Sequence, residues 1–275
     1  MSEAIAFVVH QQRKDAIAAA EFMHSQMEKS GIRVFYPQRN EKAENCQIVI
    51  TFGGDGTLLS GAKNALEYKC PLLGINLGTM GFLTEGEPDQ MEALKQAVLN
   101  RQYTIEERGL LHVEVNENRD GFLALNDAVI IRGGFARLIQ VETRINQEHW
   151  GTFIADGVIA ATPTGSTGYS LSAGGPVIAP GVECVVITPV CAHSLQHCPC
   201  IVPSHAEIMF RLRPERNQRA ELQIDGKNKG TLYAGDTVRV TGASETLKLA
   251  RIGSYHFFQV LQRKLNEWTR PREES

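Results

Sequence analysis

A glycine-rich turn that contains one carboxylate offers the clearest chemistry in this sequence. The run GGDGT at 53–57 directly follows the apolar segment 47–52. Three glycines let the backbone approach a ligand closely, and N–H groups at the start of a helix attract phosphate. A carboxylate such as Asp55 among them repels phosphate unless it holds a metal or accepts a proton, and both are roles in phosphoryl transfer. The alternative is a tight strand-to-helix turn in which Asp55 caps the helix.

Two further clusters of glycine and hydroxyl residues suggest contact with a ligand. The segment 76–84 reads NLGTMGFLT and follows a predicted strand, as the 53–57 turn does. Ligands bind at the carboxyl ends of strands in open parallel sheets, so two such turns favour a cleft. The run 162–176, TPTGSTGYSLSAGGP, is uncharged and rich in hydroxyls. It suits hydrogen bonding to a nucleotide or another polyhydroxyl ligand, with Tyr169 as a stacking face, or else it is a glycine-rich surface loop.

Several common motifs are absent from the sequence. No G-x-x-x-x-G-K-[ST] phosphate loop occurs, because Ala62 and not Lys follows the run 56–61. No G-x-G-x-x-G dinucleotide fingerprint occurs either. The stretch around Ser166 misses the hydrolase pattern G-x-S-x-G because position 164 is Thr. An ordinary dinucleotide-binding site and a hydrolase site are therefore both unsupported.

The elements that must position these residues alternate in type over the first hundred residues. Strand-like apolar runs and segments of helical spacing follow one another at 5–9, 13–29, 33–36, 47–52, 58–69, 72–75 and 90–99. In the first helical segment the apolar positions that set the spacing are Ile17, Ala20, Phe22, Met23 and Met27. Strands that alternate with helices imply parallel pairing through right-handed crossovers. We therefore predict an α/β domain with a parallel, Rossmann-like sheet that lacks the dinucleotide fingerprint.

The pattern changes near residue 100. Short segments rich in Val, Ile and Thr, separated by Gly, Asn, Asp and Pro, predict strands at 105–115, 122–131, 138–145, 158–162, 184–188, 207–212 and 237–240. We therefore predict an all-β domain over 101–254. The segment 255–268 regains helical spacing, and we expect this C-terminal helix to return to the N-terminal domain, which would then comprise 1–100 and 255–275.

Composition narrows the class of protein. The 275 residues carry 28 Lys+Arg against 31 Asp+Glu, and this net charge of -3 offers no broadly basic surface for nucleic acid. No apolar run approaches the ~20 residues that span a bilayer. The N-terminus, with Glu3 and no early positive charge, does not resemble a signal peptide. Six cysteines are too few to staple a chain of this length. We expect a cytoplasmic enzyme of a reducing compartment, without a nucleic-acid or membrane partner.

Four motifs, in this order, resemble those of the bacterial NAD kinases. They are GGDGT at 53–57, NLGTMGFLT at 76–84, Asn126-Asp127 within LALNDAVI, and the DG at 156–157 with the 162–176 run. GGDGT alone also occurs in similar form in diacylglycerol kinases, sphingosine kinases and phosphofructokinases, whereas the long 162–176 run is highly specific.

The resemblance implies a two-domain phosphotransferase. Its reaction would move a phosphoryl group from ATP, or from polyphosphate, to the 2′-hydroxyl of the adenosine ribose of NAD and so make NADP. The resemblance also implies a divalent metal ion, most simply Mg²⁺ supplied with ATP, and assembly into homodimers or homotetramers.

Roles for individual residues follow from the same resemblance. Asp55 matches the family's proton acceptor, and no protein ligand for a metal is implied. Asn126 and Asp127 match a pair that grips the nucleotide of NAD. Arg137 matches a basic residue near the dinucleotide, and Asp156 matches an acid at the nicotinamide end. The full set of implied substrate-binding residues is Gly54, Gly56, Thr57, Asn126, Asp127, Arg137, Asp156, Thr164, Thr167, Gly168, Tyr169, Ser170, Leu171 and Ser172.

The sequence also departs from the family pattern. Gly168 stands where many relatives have Ala, and Ile154 stands where relatives often have a basic residue, which puts one polar contact in doubt. Asp225-Gly226 matches a late turn at the substrate edge, although the spacing there is looser.

Other readings of these residues remain open. A lipid kinase that shares the GGDG turn predicts an apolar acceptor groove, against which the hydroxyl-rich 162–176 run argues. A non-catalytic dinucleotide sensor has no need of a carboxylate in the phosphate turn, so Asp55 argues against it. A zinc site is a further alternative, but such sites prefer two short ligand pairs held apart by a spacer. The five candidate zinc ligands instead crowd one segment: Cys191, His193, His197, Cys198 and Cys200.

Overall fold

The structure is a computed structural model that describes residues 3–78, 81–85, 90–134, 137–193, 198–214, 218–253 and 255–269. Its strands and helices in chain order are β1 (Ala4–Val9), α1 (Lys14–Lys29), β2 (Arg33–Phe35), β3 (Cys46–Gly53), α2 (Asp55–Tyr68), β4 (Leu72–Asn76), α3 (Met91–Leu99), β5 (Thr104–Val115), β6 (Asn118–Ala124), β7 (Asp127–Arg132), β8 (Ile139–Ile145), β9 (Glu148–Ala155), β10 (Gly157–Ala161), α4 (Tyr169–Ser172), β11 (Cys184–Val190), β12 (Cys200–Pro203), β13 (Ile208–Leu212), β14 (Arg219–Ile224), β15 (Lys227–Tyr233), β16 (Thr237–Arg251) and α5 (Phe257–Thr269).

The chain divides into two units. Unit 1 comprises Met1–Glu107 and Leu247–Ser275, and unit 2 comprises Arg108–Thr246. The long strands β5 and β16 each run from one unit into the other along the chain.

Unit 1 contains a parallel sheet in the order β2-β1-β3-β4. The C-terminal end of β16 joins the edge of this sheet beside β4, where Leu249 pairs in parallel with Leu72. Helices α1, α2 and α3 connect or follow these strands, which is the arrangement that alternating strands and helices require. The predicted α/β domain with a parallel sheet is confirmed.

Burial explains why the first strands and helices of unit 1 form. All six residues of β1 are buried, as expected for a strand covered on both faces. Helix α1 buries Ala16, Ala20, Met23 and Met27, which recur at the spacing of one helix face. The prediction that Ile17 and Phe22 belong to that face is wrong, because both side chains are exposed. The small side chain of Ala16 lies on the face instead.

Unit 2 contains two antiparallel sheets. One has the order β12-β11-β10-β7-β14-β15, and the other includes β13 paired with β16 and with β8, which pairs with β9. Side chains from both sheets form one apolar core that includes Phe153 and Phe210. The predicted all-β character is confirmed, with α4 and a 3-10 turn at Gly165–Thr167 as the helical exceptions among the described residues.

Several strands of unit 2 escape the sequence analysis. The single strand predicted at 122–131 is wrong, because β6 ends at Ala124 and β7 begins at Asp127. Strands β9, β12, β14 and β15 were not predicted. In β15, for example, six of the seven residues KNKGTLY are exposed, so apolar alternation is missing from its sequence.

The C-terminal segment packs onto unit 1, as expected. The Tyr255 hydroxyl donates to the Phe82 carbonyl at 2.8 Å. The rings of Phe257, in α5, and Phe82 lie 6.1 Å apart. None of the helices in the described ranges has the length and apolar character needed to cross a membrane.

Helix α2 approaches the sheet of unit 1 closely at Gly61. A Cβ atom at Gly61 would lie 2.4 Å from Thr51 Cγ2 and 3.3 Å from Leu72 Cδ1, whereas a Cβ at Gly56 in the same helix would meet nothing within 4 Å. The helix that begins at Asp55 is therefore seated on β3 and β4 at a distance that only glycine permits.

We predict that Gly61→Ala lowers the free energy of unfolding by about 1–3 kcal/mol, because the added methyl group overpacks the interface between helix and sheet. Gly56→Ala, the control, is expected to leave the stability unchanged or to raise it by up to about 1 kcal/mol, since alanine favours the helix. Urea unfolding of both variants measures the difference. Equal stabilities would contradict the close approach at Gly61.

Candidate functional site

Asp55 lies where β3 passes into α2, and a set of backbone amides holds its carboxylate. The N–H of Phe82 donates to Oδ2 at 2.8 Å, and the N–H groups of Leu83 and Thr84 donate to Oδ1 at 3.2 and 3.3 Å. The Thr84 hydroxyl also donates to Oδ1 at 3.3 Å. The residue that caps α2 is Gly54, so the alternative in which Asp55 caps the helix is wrong.

The approach of the 81–84 segment to Asp55 depends on a glycine. A Cβ atom at Gly81 would lie 2.0 Å from Asp55 Oδ1, a distance that no side chain can occupy. The ends of β3 and β4 are adjacent, since Gly53 pairs with Asn76. Two members of the predicted motif 76–84, Thr79 and Met80, lie outside the described residues.

Asn76, at the end of β4, has an unsatisfied acceptor. Its side chain is 4% exposed, and its amide donates to the Gly78 carbonyl at 3.2 Å. Its Oδ1 atom is buried and has no hydrogen-bond partner within the described part of the chain. A buried acceptor of this kind is expected to find a donor when a ligand is bound.

A cavity of about 600 Å³ opens at the same edge of the sheet in unit 1. Its lining residues come from the end of β1 and its connection to α1, from the 3-10 turn Pro37–Arg39, and from the first turns of α2 with its cap. They are Val9, His10, Gln11, Gln12, Arg13, Gln38, Gly54, Gly56, Thr57 and Ser60. Three of the predicted binding residues, Gly54, Gly56 and Thr57, are therefore brought together in it. The N-terminus of a helix as long as α2 favours an anion there.

Arg13 supplies a positive charge to this cavity, and the sequence analysis did not find it. Its guanidinium pairs with Asp15, with Nε 3.1 Å from Oδ1. A Cβ atom at Gly78 would lie 2.9 Å from Arg13 Nη1, so the guanidinium also lies against the segment that follows β4. The pKa of the Asp15 carboxyl is lowered, and the largest cause is its hydrogen bond with Arg13.

In unit 2, Asn126 and Asp127 form the corner between β6 and β7. The Asn126 Oδ1 atom is buried and has no hydrogen-bond partner among the residues that the structure describes. Burial, and to a lesser degree the charge of Asp225, raises the pKa of Asp127 to about 7. Asp225 accepts hydrogen bonds from the backbone of this corner, and burial raises the pKa of this carboxyl too.

The hydroxyl-rich run 162–176 uses most of its hydroxyls inside the protein. Ser166 donates to the Pro163 carbonyl at 2.6 Å, and Ser170 shares a hydrogen bond with Thr188 at 2.8 Å. Thr164 accepts from the buried guanidinium of Arg108 at 3.2 Å, and the Thr167 hydroxyl donates to the Thr164 carbonyl. The run is therefore a folded part of unit 2 in which residues 162–166 are buried, and this contradicts the alternative of a glycine-rich surface loop.

The remaining predicted residues lie on or near the surface of unit 2. Tyr169 is 38% exposed, Ser172 is exposed, and Gly168 and Leu171 are half-buried. Burial raises the pKa of Tyr169, with smaller contributions from the charges of Cys191, Asp156 and Asp127. The charges of Asp127 and Asp156 therefore act on the Tyr169 hydroxyl.

Asp156 pairs with Arg132, a residue that the sequence analysis did not single out. Arg132 Nε lies 2.6 Å from Asp156 Oδ1, whereas Arg137 is exposed in the loop that follows β7. The sequence offers little indication that Arg132 would pair with a carboxylate, because this residue only ends an apolar strand. Arg108 was not distinguished by the sequence, because the same strand-like segment also contains Glu106, Glu107 and Glu114.

The zinc alternative involves a segment that is only partly described. His197 lies outside the described residues, while Cys191 and Cys198 are exposed. Among the described residues, no group of three or more His, Cys, Asp or Glu side chains is placed to hold a metal ion.

Comparison with known proteins places both parts of the chain in one family. Residues 5–103 match the ATP-NAD kinase N-terminal domain, and residues 125–252 match the ATP-NAD kinase C-terminal domain. The NAD kinase of Natranaerobius thermophilus is 40% identical over 225 residues, which cover 81% of this chain and 78% of the relative. The NAD kinase of Desulforamulus reducens is 35% identical over 282 residues, which cover 96% of this chain and 97% of the relative.

Solved structures share the fold at lower sequence identity. The crystal structure of a yeast NADH kinase complexed with NADH has a TM-score of 0.86 at 22% identity. The superposition covers 100% of this chain and 90% of the yeast chain. The structure of an NAD kinase from Archaeoglobus fulgidus in complex with ATP has a TM-score of 0.73 at 24% identity. The superposition covers 97% of this chain and 99% of the Archaeoglobus chain.

The raised pKa of Asp127 predicts a pH-dependent cost to stability. Between its ordinary value of 3.8 and about 7, the folded state keeps a proton that the unfolded state has released. The stability contribution of this group therefore falls as the pH rises through that window. Asp127→Asn cannot titrate, so its stability relative to the parent protein is expected to increase from about pH 5 to about pH 8.

Urea unfolding at intervals across this pH range measures the effect. Asp120→Asn, at an exposed carboxylate of the same unit, is the control and is expected to show a constant difference from the parent protein. A constant difference for Asp127→Asn as well would contradict the raised pKa.

Proposed function

This chain belongs to the ATP-NAD kinase family, and on that premise we propose which of its residues perform the reaction. The enzyme transfers a phosphoryl group from ATP to the 2′-hydroxyl of the adenosine ribose of NAD, and the product is NADP. The observation that carries the proposal is the fixed carboxylate of Asp55 at the edge of the sheet where the cavity of unit 1 opens.

Asp55 is the group that accepts the proton of the ribose hydroxyl. An ionised carboxylate has about four lone-pair sites. Oδ1 takes three donors, whereas Oδ2 takes the Phe82 N–H as its one donor within the described ranges. Oδ2 therefore has room for the hydroxyl. Because the transition state of phosphoryl transfer is loose, the proton moves late, and a modest base in a fixed position suffices.

The cavity of unit 1 is the site of the ATP phosphates. It combines the N-terminus of α2, the backbone of Gly54 and Gly56, and the guanidinium of Arg13, and all three favour an anion. A phosphate group would compete with Asp15 for the Arg13 guanidinium. The ion pair between Arg13 and Asp15 is partly exposed to solvent, so a ligand can reach it. The hydroxyls of Thr57 and Ser60 line the same cavity.

The predicted residues of unit 2 bind NAD. The free Oδ1 of Asn126 suits the amino group of an adenine, which an asparagine side chain recognises in a bidentate manner. The ring of Tyr169 offers a stacking face beside the carboxylates of Asp127 and Asp156. Gly168, Leu171, Ser172 and the backbone of Thr164 and Ser170 complete the wall.

A divalent metal ion fits this arrangement as part of the substrate. Mg²⁺ in phosphoryl-transfer enzymes is held by one or two carboxylates together with phosphate oxygens, not by a full protein cage. The described residues include no cluster of three ligands, so the phosphates of ATP would provide most of the coordination. When bound, the ion neutralises charge on the phosphates.

The family resemblance alone supports two further parts of the proposal. The chain would act in the cytoplasm, and it would assemble as a homodimer or homotetramer.

We predict that Asp55→Asn lowers the turnover of NAD to NADP by about 10²–10⁴-fold, the usual contribution of a general base. Asparagine cannot take the proton, and its NH₂ group would displace the 82–84 segment of unit 1, since both oxygens of Asp55 accept backbone N–H groups. The proposed NAD-binding side chains of unit 2 are unchanged, so NAD binding measured by calorimetry is expected to persist. Formation of NADP from NAD, ATP and Mg²⁺ is followed with an NADP-specific dehydrogenase.

The control is Glu67→Gln, an exposed carboxylate near the other end of α2, which is expected to turn over as the parent protein does. Undiminished turnover in Asp55→Asn would remove Asp55 as the base while leaving the reaction intact. Absence of NADP from the folded parent protein, with ATP or with polyphosphate, would contradict the reaction itself.

A second prediction concerns the donor. Arg13→Ala is expected to raise the KM for ATP about tenfold, the lower end for loss of a hydrogen bond to a charged group, since this guanidinium is partly exposed. The KM for NAD is expected to stay within about twofold. Arg33→Ala, an exposed arginine of the same unit that does not line the cavity, is the control. An unchanged KM for ATP in Arg13→Ala would show that the phosphates bind elsewhere.

A further inference from the structure

The corner formed by Leu125, Asn126 and Asp127 receives an unusual degree of support from one side chain. Asp225 Oδ2 accepts the N–H of Leu125 at 3.0 Å. Its Oδ1 accepts the N–H groups of Asn126 at 2.7 Å and of Asp127 at 3.2 Å. The backbone N–H of Asp225 in turn donates to the Asp127 carbonyl at 3.0 Å.

Thr162 holds the same corner from the other side. Its hydroxyl donates to the Leu125 carbonyl at 2.6 Å, and its backbone N–H donates to the Asn126 carbonyl at 2.9 Å. The backbone N–H and C=O groups of all three corner residues therefore have a partner in either Asp225 or Thr162. Side chains are the groups that the corner can still offer to a ligand.

Close packing confirms how little freedom the corner has. A Cβ atom at Gly165 would lie 2.0 Å from the Asn126 carbonyl oxygen, so the 162–165 segment presses directly on the corner. Asp225 arrives from the turn between β14 and β15, where its φ is 48° and that of Gly226 is 72°. Aspartate followed by glycine suits such a turn, because both residues adopt the left-handed conformation more readily than most.

We propose that Asp225 is a positioning residue for the binding of NAD. It acts through the backbone of the corner and sets the side chains of Asn126 and Asp127 in the orientation that the nucleotide requires. This inference rests on the proposed function, in which those two side chains bind NAD.

A carboxylate is required at this position because it accepts without donating. Three N–H groups of consecutive residues converge on its two oxygens, and charge-assisted bonds of this kind are about twice as strong as neutral ones. An amide of the same shape would turn its NH₂ group toward at least one of these N–H donors, so the corner would have to move.

The test compares Asp225→Asn with Asp236→Asn. Asp236 is a matched control, because it also lies in a turn between two strands of unit 2, β15 and β16, and accepts a backbone N–H, that of Tyr233 at 2.7 Å. For Asp225→Asn we expect the KM for NAD to rise about tenfold, the equivalent of one lost hydrogen bond to a charged group, with the KM for ATP within about twofold. We expect Asp236→Asn to change neither constant.

Hydrogen exchange of the amides of residues 125–127 gives a readout that does not depend on catalysis. Exchange is expected to be faster in Asp225→Asn than in the parent protein and unchanged in Asp236→Asn. If Asp225→Asn does not fold, Asp225→Glu provides the same test, because it keeps the charge but displaces the carboxylate by one methylene group.

Each result bears on a different part of the inference. Unchanged exchange in a folded Asp225 variant would overturn the role of Asp225 in holding the corner. Faster exchange with an unchanged KM for NAD would overturn its role in positioning the binding residues. A fall in kcat with both KM values unchanged would likewise overturn it, since general destabilisation produces that pattern. Unaltered NAD binding in Asn126→Ala would instead contradict the proposed function of the corner.

Discussion

Both units of this protein depend on the same interaction, a carboxylate that accepts the N–H groups of three consecutive residues. In unit 1, Asp55 binds residues 82–84, and in unit 2, Asp225 binds residues 125–127. A carboxylate can accept about four hydrogen bonds, and each bond is strengthened by its charge. One side chain thus fixes a stretch of backbone that lies outside the helices and, apart from Asp127 at the start of β7, outside the strands. The two carboxylates differ in their proposed tasks, because Asp55 keeps an oxygen for a substrate whereas Asp225 acts through the chain that it binds.

These interactions require the backbone to come very near a carboxylate or another strand. Gly81 and Gly165 make that possible, since a Cβ atom at either would lie 2.0 Å from an oxygen. Gly61 serves a related purpose by seating α2 on the sheet. Such glycines are needed for the space they leave empty, and not for an unusual backbone angle. Their positions explain why glycines are dense around the proposed site.

The two units also differ in the charge that they present. The cavity of unit 1 combines Arg13 with the N-terminus of α2, an environment for a highly charged triphosphate. The proposed binding residues of unit 2 include the acids Asp127 and Asp156, and burial with neighbouring charge raises the pKa of Asp127 to about 7. Asp127 is buried and Asp156 pairs with Arg132, so unit 2 presents little net charge at these proposed binding residues.

The sequence by itself determined the local order of the molecule. Apolar runs and helical spacing predicted the parallel sheet of unit 1, and the GGDGT and 162–176 motifs predicted the family and its reaction. Only the tertiary structure decided what each polar group does. It showed that Asp55 binds the 82–84 segment and does not cap α2, that Ser166 and Ser170 use their hydroxyls internally, and that Arg132 pairs with Asp156. Asp225 meets residues about a hundred positions earlier in the chain, and no periodicity records such a contact. Hydrophobic pattern is a local property, whereas hydrogen bonds between distant residues depend on how the chain folds back.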